Sequence, residues 1–86
     1  MDNQNRPPAP ATKLALLRAA WTGGDKIGAL RIAAKFGQLG EHADAIRRGW
    51  DAHMRPAFYR QMKRDPEALT AAALTALAAR YGLEAA

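Results

Sequence analysis

The side chains through which this chain could do chemistry are thirteen lysines and arginines, eight acids and two histidines. Neither serine nor cysteine occurs, so the commonest nucleophiles and every thiolate metal ligand are missing. His42 and His53 are eleven residues apart. In one helix they would share a face but lie roughly 16 Å apart along its axis, too far for a common metal ion. Asp25 and Asp65 each precede a helical stretch and suit N-caps, while Asp44 and Asp51 stand four residues from arginines, which leaves no carboxylate dyad. Gly23-Gly24-Asp25 reads as a helix stop followed by the next cap, not as a phosphate loop. The chain is therefore read as non-enzymatic, with no cofactor and no metal, and its business as binding.

An anion is the partner that the charge favours. The formal net charge is +5, and it is unevenly placed. Lys13, Arg18, Lys26, Arg31 and Lys35 face a single acid, Asp25, across residues 12 to 40; residues 41 to 55 are balanced; Arg60, Lys63 and Arg64 outnumber Asp65 beyond them. The candidate binding residues are Lys26, Arg31, Lys35, His42, Arg47, Arg48, Arg60, Lys63 and Arg64, as contacts to nucleic acid or to another protein. Arg31 and Lys35, four apart, share one helical stripe, for which a solvated face is the plainer reading.

These side chains need helices to position them. Valine is absent, and alanine, leucine and arginine dominate, a composition that disfavours strands. The expectation is an all-α, compact bundle of about five short helices around a central helical hairpin. Residues 1–11, with Pro7, Pro8 and Pro10, read as a flexible tail, and 12–86 as a single helical domain. Thr12 caps a helix to about Thr22, in which Leu14, Leu17 and Trp21 face inward. Asp25 caps a second, nearly buried helix that runs through Phe36 and carries Ile27, Ala29, Leu30, Ile32, Ala33 and Ala34. A corner at Gly37-Gln38-Leu39-Gly40 leads to a third helix, about Glu41 to Arg55, with Ala43, Ile46, Trp50 and Met54 or His53 inward. Its outer side pairs Asp44 with Arg48, Arg47 with Asp51 and Asp51 with Arg55. Pro56 opens a fourth helix with Phe58 and Met62 inward and Tyr59 beside the basic residues. Asp65-Pro66-Glu67 starts the fifth, which runs to about Tyr81 and stops at Gly82-Leu83.

The second and third helices supply a partial resemblance to the bacterial helix-turn-helix. Ile32-Ala33, Phe36-Gly37, Ala43 and Ile46 match that family's pattern over residues 29–48. The chain departs from it at Gln38, which stands where an apolar residue belongs, and at Glu41 and Asp44, which put acids at the start of the recognition helix. The resemblance implies that His42, Arg47 and Arg48 reach a duplex while Lys26, Arg31 and Lys35 hold its backbone. Through ALRIAAKF, LGEH and PAFYRQMKRDPEAL the chain also resembles short helical proteins encoded in phages and prophages of high-GC bacteria, for which no activity is established. That likeness implies a mobile-element context. The favoured expectation is a nucleic-acid-binding regulator, and the alternative is a module that binds and modulates a host or phage protein. A homodimer is the form expected of a DNA reader. No segment is long and apolar enough for a membrane span, and no signal peptide is recognisable, so the expected location is the cytoplasm.

Overall fold

The computed structural model describes residues 12–84, so the proline-rich segment 1–11 lies outside the described residues. Each helix begins where its local chemistry allows. The Thr12 hydroxyl accepts from the Ala15 amide at 3.0 Å and opens α1, Lys13–Thr22. Gly24 takes φ 93°, which lets its amide and that of Asp25 return to the carbonyls of Trp21 and Ala20, a Schellman stop. The Asp25 carboxylate accepts from the Gly28 amide at 2.9 Å and opens α2, Lys26–Ala33. A single 3-10 turn, Gly40–His42, precedes α3, Ala43–Met54. Pro56 begins α4, Pro56–Gln61, and Asp65 caps α5, Pro66–Tyr81, by accepting from Glu67 at 3.0 Å and Ala68 at 3.2 Å. Gly82 at φ 64° ends α5, with the Leu83 amide returned to Ala78 at 2.9 Å and the Leu83 side chain packed on the core.

The expected all-α bundle of five helices is what forms. Its core joins Leu17 and Trp21 of α1, Ala29, Leu30 and Ala33 of α2, Leu39 of the connection, Ile46 of α3, and Ala73, Ala76 and Leu77 of α5. The broadest helix-to-helix contact is α3 on α5, followed by α1 on α2, while α2 and α3 meet over a smaller area. Each helix of the hairpin therefore finds its main partner elsewhere. Gly49 on α3 makes the α3–α5 approach possible, because a side chain there would collide with Ala73.

Several local expectations are corrected. α2 ends at Ala33, not at Phe36, because the next amides turn back by three residues, Lys35 to Ile32 and Phe36 to Ala33, and leave the α-helical ladder. The two-glycine corner is accordingly a longer connection, and α3 begins at Ala43, not at Glu41. Only one face of α2 is fully buried, and Ile27, Ile32, Ala34 and Phe36 are partly covered. On α3, Gly49 and Ala52 are buried, whereas Met54 and His53 face outward. On α4 the inward residue is Tyr59, and Phe58 and Met62 are exposed. Arg55, at φ −131° and ψ 60°, breaks the phase between α3 and α4, so helical spacing cannot be carried across it.

Candidate nucleic-acid interface

Lys13 stands in the first turn of α1, Lys35 just beyond the end of α2, and Arg80 in the last turn of α5. Packing of α1 on α2 and of α2 on α5 brings them to the rim of one open cleft of about 510 Å³, floored by Phe36 and Tyr81. A neighbouring groove of about 240 Å³ shares Lys13 and Lys35 and adds Leu16, Arg31 and Ile32. Among the described residues, no acidic side chain lines either depression. Four cations from three helices and one connection thus surround a continuous surface whose base is apolar and aromatic.

The floor is held in place by its own contacts. The rings of Phe36 and Tyr81 meet edge to face with centroids 6.0 Å apart. The Arg80 guanidinium lies over the Tyr81 ring, 5.0 Å from its centroid, and donates from Nη2 to the Gln38 carbonyl at 2.9 Å. Those bonds fix one side of Arg80 while its side chain remains exposed. The surface offers positive charge, hydrogen-bond donors and apolar contact, which suits a ligand carrying both anionic and flat apolar groups.

Of the nine residues singled out from sequence, Arg31 and Lys35 belong to this surface. The others are distributed elsewhere. Lys26 places its ammonium 4.9 Å from the centroid of the Trp21 ring, beside a separate depression lined also by Arg18, Leu83 and Glu84. Its neighbour Trp21 is a core residue whose indole donates to the Glu84 carbonyl at 2.8 Å. His42 is partly buried, with Nε2 3.8 Å from Glu41. Arg47 donates to the Phe36 carbonyl at 2.5 Å, thereby satisfying a group left open past the end of α2. Arg48 is exposed on α3. Arg60 pairs with Glu67 at 2.5 Å. Lys63 and Arg64 are exposed in the α4–α5 turn, Lys63 in the left-handed region at φ 61°.

Among the described residues, the predicted pairs Asp44–Arg48 and Arg47–Asp51 do not form; in the second, Arg47 is drawn to the Phe36 carbonyl and Asp51 is taken by other donors. Arg55 grips Asp51 through two bonds, at 3.0 and 2.7 Å, and the Tyr59 hydroxyl donates to it at 2.6 Å. The Arg55 bonds first, and then that of Tyr59, hold the Asp51 carboxyl below its ordinary range, and the same Asp51 bond raises the Tyr59 hydroxyl above its own. This cluster fastens α4 to α3 and lies apart from the cleft.

Lys13 and Arg80 were not among the residues chosen from sequence. Lys13 carries a weak signal in the local basic excess of residues 12 to 40, but Arg80 sits alone at the end of an alanine-rich helix. Sixty-seven residues separate the two in the chain, and only the packing of the bundle makes them neighbours. No protein-family model matches this chain, and no curated protein or solved structure matches it either.

Proposed function

We propose that this is a non-enzymatic nucleic-acid-binding protein that holds phosphates around the cleft formed by α1, the α2–α3 connection and the end of α5. The observation that carries the reading is the convergence of Lys13, Arg31, Lys35 and Arg80 on a surface that, among the described residues, no acid lines. The resemblance to phage and prophage proteins implies a mobile-element context and no activity of its own; a regulator in that context is the role this reading favours. In the helix-turn-helix form of the reading, α3 would approach a duplex with His42, Arg47 and Arg48. That form has less support, since Arg47 is engaged on Phe36 and the exposed acids Glu41 and Asp44 stand at the start of that helix.

The test is fluorescence anisotropy with labelled oligonucleotides, duplex and single-stranded, over a range of salt. Binding is expected at about 50 mM salt and should weaken roughly 50- to 150-fold by about 200 mM if four phosphates are neutralised. Failure to retain any oligonucleotide at the lower salt contradicts the reading.

A protein-interaction module is the second reading, supported by the exposed large apolar side chains Met54 of α3, Phe58 of α4 and Met62 just past the end of α4. Recovery of one stoichiometric protein after nuclease treatment, together with no oligonucleotide binding, would favour it.

A further inference from the structure

We infer that the nucleic acid held at this cleft is single-stranded, with unpaired bases resting on the apolar floor between the cations. The inference rests on the nucleic-acid reading above and adds the form of the ligand. A duplex turns its phosphates outward and keeps its bases stacked inside, so a surface that meets only its backbone gains nothing from large apolar side chains among the cations. Here such side chains line the same depressions as the cations. Leu16 is 50% exposed and lines one depression together with Lys13, Arg31, Lys35 and the partly exposed Ile32. In the adjoining cleft Phe36 and Tyr81 are also only partly covered.

An unpaired strand can use both kinds of group at once. Its phosphates meet Lys13, Lys35 and Arg31, and its bases meet Leu16, Ile32 and the outer plane of the Arg80 guanidinium, which Tyr81 backs from beneath. Arg80 serves both purposes, because a guanidinium laid over Tyr81 presents a charged plane on which a base can stack. The cations also come from separate elements around depressions, not from one protruding helix of the kind that enters a major groove.

The experiment compares the full chain on a labelled DNA strand, an RNA strand of the same sequence and the corresponding DNA duplex at low salt. The single strands should bind about tenfold or more tightly than the duplex, a difference of one decade in affinity. The tighter of the RNA and DNA strands identifies the sugar preferred, and either preference supports the inference. Leu16→Gln removes an exposed apolar contact without touching the buried core. It should weaken single-strand binding roughly fivefold, the loss expected when about 40 Å² of apolar surface is no longer covered by a base, and leave the salt dependence unchanged. Lys35→Gln should lower the salt dependence instead. Duplex binding equal to or tighter than single-strand binding overturns the inference while leaving the nucleic-acid reading intact, as does a Leu16→Gln protein with unchanged single-strand affinity. Binding to none of the three probes overturns both.

Discussion

Gly49 of α3 lies so close to Ala73 of α5 that a β-carbon at residue 49 would overlap the Ala73 methyl and stand 2.6 Å from the Leu69 carbonyl oxygen. Thr70 spans the same crossing, its hydroxyl 2.8 Å from the Pro66 carbonyl and 3.4 Å from that of Gly49. In an open helix, replacing glycine with alanine stabilises by up to about 1 kcal/mol. At this crossing the added methyl forces two helices apart, and Gly49→Ala should instead cost about 1 to 3 kcal/mol. The midpoint of urea unfolding should therefore fall. A higher midpoint would show that α3 and α5 do not cross at these residues.

Lys63 occupies the left-handed position of the turn that ends α4, with its own amide returned to Arg60 at 2.9 Å and the Arg64 amide returned to Tyr59 at 2.9 Å. Glycine normally fills such a position because a β-carbon strains it. Lys63→Gly should stabilise the protein by roughly 0.5 to 1 kcal/mol, the relief of strain less the entropy of the added glycine. Thermal unfolding of the pair measures this, and a destabilised variant would indicate that the Lys63 side chain makes a contact of greater value.

The Asp51–Tyr59 bond gives stability a distinct pH dependence. The folded pKa of Asp51 is lowered from 3.8, so its contribution is complete above that value and is lost as pH falls through the folded one. Tyr59 is raised from 10.0, so its contribution is complete below that value and is lost as pH rises through the folded one. Tyr59→Phe should be less stable than the natural chain between these limits, and the difference should shrink at both ends. Denaturant midpoints measured against pH for the two proteins check this. A difference that is constant with pH would contradict the bond.

How much of this was readable in the sequence depended on how local the cause was. The caps at Thr12, Asp25 and Asp65 and the stop at Gly82-Leu83 depend on groups a few residues apart, and they form as expected. The inward face of α4 is not legible from the Phe58 and Met62 spacing, because the orientation of so short a helix is set by the Arg55 backbone before it and by the Tyr59 bond to Asp51 of α3, which turn Tyr59 inward and leave Phe58 outward. Gly49 gave no periodic signal, since its importance lies in what is missing from its side chain. The candidate site divided along the same line. Arg31 and Lys35 were visible because one helix end carries both, but Lys13 and Arg80 join them only through the packing of the bundle. Sequence spacing offers Arg47 to Asp51 or to a partner, and nothing in its neighbourhood announces that the Phe36 carbonyl past the end of α2 takes it instead.

The most direct test of the account is the slope of log affinity against log salt for an oligonucleotide strand, measured for the natural chain and for the double variant Lys13→Ala/Lys35→Ala. Both lysines are exposed and line both depressions. Each phosphate contact removed should make the slope shallower by roughly 0.7 on a single strand, so the double variant should bind more weakly with a slope shallower by about 1.4. Equal affinity and equal slopes in the two proteins would contradict the assignment of phosphate binding to this cleft.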